Sequence, residues 1–183
     1  MSHRTRRILT TALVIALAAA AAEGRAGEAW EARAAQSARS AAKDLYVAFV
    51  RGDHAAFVNA LYPGVVEAVG GREKMVAQLR SSIDDMRKNG MTLKSSTVDP
   101  PSRMVKVGRD GVQAILPTAL IMGTPRGDMR TRSYLLGLSA DGGKTWKFID
   151  TGKLGREQLM KVVPELSPEI DVPVRPAPEL LAK

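Results

Sequence analysis

Arginines, aromatics and an acid are spaced through one stretch of the chain in a way that suits anion binding. Over Met129–Leu138, regular alternation puts Arg130, Arg132, Tyr134, Leu136 and Leu138 on one side of an extended strand, with Met129, Thr131, Ser133 and Leu135 on the other. The first side has a cationic entrance and an apolar end. On the strand that follows, Trp146, Phe148 and Asp150 share a side, and antiparallel pairing would carry Asp150 or Trp146 toward the arginines. Arg130, Arg132, Tyr134, Trp146, Phe148 and Asp150 thus form a candidate ligand pocket, aromatic inside and cationic at its mouth. A guanidinium grips a carboxylate through two parallel hydrogen bonds, so the ligand class is a small anionic or amphipathic molecule. A plainer account of the same residues makes the aromatics core and the arginines a solvated strand end.

Other chemistries find less support. General acid–base catalysis needs a carboxylate or imidazole whose partner moves its pKa toward neutrality, and no such pair is legible; catalytic residues stay unassigned. A Tyr134, Arg132 and Asp150 grouping is the one arrangement on which an enzyme could be built. The chain has no cysteine and only His3 and His54, which removes thiolate nucleophiles, disulfides and any ordinary zinc site. No metal and no cofactor is expected. His54 follows Asp53 at a helix start, a position that packing alone explains, and Asp84, Asp85, Asp99 and Asp128 fit solvated faces and turns.

The arginines of the first residues have another use. Arg4, Arg6 and Arg7 precede an uncharged run from Ile8 to Ala22 that ends in Ala20-Ala21-Ala22, the pattern of a cleavable signal peptide with cleavage near Ala22 or at Ala26. Export to the periplasm or beyond is therefore expected, with no membrane anchor left after cleavage. Thr5-Arg6-Arg7-Ile8-Leu9 partly fits a twin-arginine signal, so the export route stays open. Loss of residues 1–22 lowers the formal charge from +8 to +5, because three arginines and no acids leave with them. The remaining cations alternate with acids, and the chain has only two Trp, three Tyr and three Phe, so no nucleic-acid partner is expected.

The elements that must position these residues follow from periodicity. Ala38, Ala41, Ala42, Leu45, Ala48 and Phe49 recur at helical steps and predict a helix over about 31–50, stopped by Gly52. Asp53 caps a second helix at His54–Ala60, which Pro63-Gly64 ends. Gly70-Gly71 opens a third, carrying Met75, Val76, Leu79, Ile83 and Met86 inward until Asn89-Gly90. About five strands come next, Met91–Val98, Arg103–Val107, Val112–Met122, Met129–Leu138 and Thr145–Thr151, joined by Gly- and Pro-containing turns that make neighbours antiparallel. Pro117 requires a bulge or an edge position. A short helix at Gly155–Val163 and a proline-punctuated tail over 167–183 complete the chain. This is an α+β reading, with three helices on one face of a curved sheet and linker residues at 23–35.

Three stretches carry a resemblance: Arg51-Gly52-Asp53-His54-Ala55-Ala56-Phe57, Val65-Val66-Glu67-Ala68-Val69-Gly70-Gly71, and Asp141-Gly142-Gly143-Lys144-Thr145-Trp146-Lys147-Phe148-Ile149-Asp150. Over residues 36–166 the chain resembles the nuclear transport factor 2-like superfamily, the cone-shaped α+β barrels that include ketosteroid isomerase, scytalone dehydratase and SnoaL-like proteins. The resemblance implies a cone whose sheet encloses a cavity, and a homodimer through the outer sheet face bearing Thr131, Ser133, Thr145 and Lys147. It does not choose between enzyme, ligand-binding module and protein-interaction domain. With catalytic groups unassigned, the expectation is a noncatalytic exported module that binds a small ligand or a partner protein; the alternative is a cofactor-free isomerase, dehydratase or hydrolase.

Overall fold

The structure, a computed structural model, describes residues 3–152 and 154–181, with side chains from Gly27 onward. The leader expected over residues 1–22 therefore lies outside the described side chains. Residues 1–34 form a unit of their own, and residues 35–183 form the folded body. Among the described residues no helix is long and apolar enough to cross a membrane.

Helix α1, His3–Arg51, runs through the region read as a linker and stops where Gly52 takes a φ of 73°. Asp53 then accepts a hydrogen bond from the Ala56 amide at 2.9 Å and caps α2, His54–Ala60, as its carboxylate and spacing predict. Pro63 does not merely end α2. Its fixed φ and missing amide suit a first helical turn, and it starts a fourth N-terminal helix, α3, Pro63–Ala68, which the sequence reading missed. Helix α4, Arg72–Lys88, opens after Gly71 and closes at Asn89-Gly90, as expected, but none of its residues is fully buried.

The strands are β1 Thr92–Val98, β2 Arg103–Val107, β3 Gly111–Thr124, β4 Gly127–Ser139, β5 Lys147–Asp150 and β6 Glu179–Leu180, with α5, Arg156–Val162, between the last two. They form one open antiparallel sheet in which β1 and β2 follow each other along one edge of β3, β4 pairs with the other, and β5 and β6 share the far edge of β4. Pro117 sits inside the long β3 without a bulge. The Asp99 amide bonds its carbonyl, so its donorless nitrogen points to the same side, where Pro100-Pro101 already separates β1 from β2. The register irregularity lies instead in β1, between Leu93 and Ser95.

Both faces of this sheet are covered, which differs from the single helical layer expected. On one face lie Ala38, Ala42, Leu45 and Tyr46 of α1, all buried, with the Tyr46 hydroxyl donating to Thr118 Oγ1 at 3.3 Å. On the other face Val105, Ile115, Leu136, Leu138 and Ile149 meet Leu159 and Val163 of α5 and then Leu166 and Ile170 of the tail. The tail is therefore partly core. Gln113 holds it by donating from Nε2 to the Glu165 carbonyl and accepting the Ser167 amide at Oε1, both at 2.9 Å, while Arg156 donates to the carbonyls of Ile170 and Ser167.

Candidate functional site

Register decides which of the candidate pocket residues meet. In β4–β5 the opposed pairs are Leu135 with Asp150, Leu136 with Ile149, Gly137 with Phe148 and Leu138 with Lys147. Opposed residues of an antiparallel pair share a face, so the even residues of β4 accompany the odd residues of β5. Arg130, Arg132 and Tyr134 consequently lie on the α5 face, whereas Trp146, Phe148 and Asp150 lie on the α1 face. The six do not converge. The expected pairing is off by one position, and a shift of one moves a whole set of side chains across the sheet.

On the α1 face the aromatics are packed solid. A Cβ on Gly137 would stand 3.1 Å from Trp146 Cε3, 3.2 Å from Phe148 Cε1 and 3.3 Å from Leu116 Cδ1, so glycine is what lets the rings lie on the strand. Trp146 Nε1 donates to the Gly143 carbonyl at 3.1 Å. Asp150 is exposed at the sheet margin, where Ser133 Oγ donates to its Oδ1 at 2.7 Å and the Gly152 amide at 2.8 Å. Thr131 and Ser133, expected on a wet outer face fit for dimerisation, are each 6% exposed. That face is the one turned toward α1. The arrangement Tyr134, Arg132, Asp150 is not assembled, since the first two and the last stand on opposite sides of the sheet.

On the α5 face the arginines do grip a carboxylate, and it belongs to the chain itself. Arg132 Nη1 lies 2.6 Å from Glu179 Oε1, and Arg130 Nη1 lies 3.7 Å from Glu179 Oε2. Backbone pairing of Arg130 with Glu179 and of Met129 with Leu180 sets that carboxylate in place. Tyr134 packs against the α5 core cluster. Its carbonyl accepts both the amide and the hydroxyl of Thr151, each at 3.0 Å, which closes the register just past β5.

A roomier concavity lies elsewhere on the α5 face, between the Tyr62-Pro63 turn and the hairpin joining β2 to β3. It is a cleft of about 550 Å³. Val107 and Leu138 supply an apolar floor, Tyr62 and Pro63 one wall, and Lys147 and Glu165 stand at the rim. The Tyr62 backbone is fixed by donating its amide to the Phe148 carbonyl at 2.9 Å, and its hydroxyl donates to Glu165 Oε1 at 3.3 Å. Partial burial, followed by the nearby Glu165 charge, pushes the Tyr62 phenol above its ordinary range. Lys147 Nζ reaches the Asn59 carbonyl. Sequence reading missed this cleft because Tyr62 and Glu165 are far apart in the chain.

A second, smaller cleft of about 170 Å³ opens between Phe49, Ile83, Met86 and Leu93. Ile83 and Met86 of α4, both half-buried, line it. Among the described residues no group of three or more His, Asp or Glu side chains is placed to hold a metal ion. The sole buried side-chain polar atom without a hydrogen-bond partner among them is His54 Nδ1. Searches for relatives found no matching family model, no matching curated protein and no matching solved structure.

Proposed function

We propose that the protein is a noncatalytic, exported binding module of the nuclear transport factor 2-like type, and that it takes a small amphipathic ligand in the cleft beside Tyr62. The observation that carries this reading is the cleft itself, about 550 Å³ with an apolar floor of Val107 and Leu138 and charged groups only at the rim. That volume is within the range of roughly 300–1,000 Å³ typical of small-molecule sites, and the division into apolar base and polar edge is how such sites orient a ligand. The ligand's hydrocarbon part would lie on Val107 and Leu138, with its polar end toward Lys147. The Arg4, Arg6 and Arg7 cluster ahead of an uncharged alanine-rich run supports export. The α+β order and the antiparallel sheet support the superfamily.

The test is a thermal-shift series with medium-chain carboxylates and alcohols against the chain and its Val107→Arg variant, which fills the cleft from a half-buried position at the end of β2. A ligand present at about a hundred times its Kd stabilises by about 2.7 kcal/mol, which is readily seen. Stabilisation of the chain and not of Val107→Arg is expected. Equal shifts in both, or none across the series, would dispose of the reading.

A further inference from the structure

A further cleft, of about 440 Å³, lies where α1 passes Pro100, just beyond the end of β1, and Ala35, Gln36, Arg39, Ser40, Lys43 and Pro100 line it. Its polar side chains come from one element. Gln36, Arg39, Ser40 and Lys43 stand at i, i+3, i+4 and i+7, so a single stripe of α1 supplies an amide, a guanidinium, a hydroxyl and an ammonium. None of the four is acidic. The acids nearest to the lining in sequence, Asp44 and Asp99, do not line the cleft.

Most donors of this stripe are unspent. Arg39 Nε donates to the Val98 carbonyl at 2.8 Å, which ties the half-buried side chain to β1 and leaves the terminal nitrogens of its guanidinium over. Among the described residues neither Arg39 nor Lys43 forms an ion pair, and the side chains of Gln36, Ser40 and Lys43 make no hydrogen bond. Cations elsewhere do find acids, as Lys94 does in Asp128 and Arg103 in Glu169. Like charges four residues apart on a helix, with Cβ atoms about 5–6 Å from each other, repel. An anion held by both Arg39 and Lys43 relieves that repulsion. A guanidinium already fixed through Nε has less freedom to lose, and its planar fork matches two oxygens of one anion while the ammonium takes another. A carboxylate has no third oxygen to offer; a phosphate group has.

We propose that this cleft binds the phosphate group of a small phosphate ester. Arg39 and Lys43 hold the phosphate oxygens, Ser40 donates from between them on the stripe, and Gln36, about one helical turn away, hydrogen-bonds the organic part of the ester. The site is separate from the Tyr62 cleft, which lies across the sheet on the α5 face, so each stands or falls alone.

The experiment is isothermal titration calorimetry of the full chain with phenyl phosphate, inorganic phosphate and benzoate at one ionic strength. Phenyl phosphate should bind saturably and at least about tenfold tighter than benzoate, the worth of one further charge-assisted contact. It should also bind tighter than inorganic phosphate, since only the ester reaches Gln36. Lys43→Gln, at an exposed position with no partner in the fold, should weaken phenyl phosphate about tenfold. Arg39→Lys, which keeps the charge and loses the fork, should weaken it as well; if loss of the Val98 tie unfolds that variant, Lys43→Gln decides alone. Lys161→Gln, at an exposed lysine of α5, and Val107→Arg, which closes the Tyr62 cleft, should leave the affinity unchanged. No saturable binding, equal affinity for phenyl phosphate and benzoate, an unchanged Kd in Lys43→Gln, or an equal loss in Lys161→Gln or Val107→Arg overturns the proposal. Inorganic phosphate binding as tightly as phenyl phosphate overturns the assignment to an ester.

Discussion

The Tyr46 hydroxyl donates to Thr118 Oγ1 at 3.3 Å where α1 lies on the sheet, 72 residues apart in sequence. Burial pushes the Tyr46 phenol up to about 12. A folded-state pKa above the unfolded value of about 10 means that the unfolded chain loses its proton first. The stability from a neutral Tyr46 is thus complete below about pH 10 and is lost as pH rises toward 12. Absorbance at 295 nm should show a tyrosine that titrates late and together with unfolding. Tyr46→Phe should cost about 1 kcal/mol at neutral pH and soften the alkaline loss. Titration of every tyrosine near the ordinary value in the folded chain would contradict the burial of this ring.

Gly137→Ala should destabilise by about 1–3 kcal/mol, because the added methyl meets Trp146, Phe148 and Leu116 at distances where all three must give way. Urea unfolding followed by Trp fluorescence measures this. A neutral result would mean that the rings do not pack on that strand.

Gln113→Leu should loosen the tail. Two backbone groups, the Glu165 carbonyl and the Ser167 amide, lose their partner together, at about 2–4 kcal/mol for groups that stay dry. Limited proteolysis should then cut within residues 164–170, a stretch the unaltered chain protects. Unchanged cleavage would show that the apolar contacts of Leu166 and Ile170 suffice alone.

The Asp141 carboxylate accepts the Thr145 amide at 2.9 Å and hydroxyl at 2.7 Å, the Ser139 hydroxyl at 2.8 Å and the Lys144 amide at 3.1 Å. These bonds, the Thr145 pair first, hold its pKa well below the usual carboxylate range. A depressed folded-state pKa gives stability that is present above the unfolded value of about 4 and fades as pH falls below it. The acid limb of stability should therefore be shallower in Asp141→Asn than in the unaltered chain, by melting temperature between about pH 5 and 2. Parallel curves would mean that the turn does not depend on the charge.

Local signals were legible where one residue type does one job. Asp53, Gly52 and Asn89-Gly90 marked helix ends because caps and positive φ are properties of a few adjacent residues. The α+β class and the five principal strands followed from the change of period near Met91. Strand register was not legible. It is set by Gly137, which opposes Phe148, and by Thr151 closing on Tyr134, contacts that periodicity alone does not encode. Strand β6 was missed for a related reason: two residues after Pro178 show no alternation, and their place comes from backbone pairing with Met129 and Arg130 and from the contacts of Glu179 with Arg130 and Arg132.

Ile170, wholly enclosed against residues as early as Val105, gives the molecule an order of assembly. Hairpins β2–β3 and β3–β4 join neighbours through short turns and can form early, but the layer above Leu136 and Ile149 waits for the last segment to arrive. Until then the sheet face carrying Leu136 and Ile149 lacks its apolar cover.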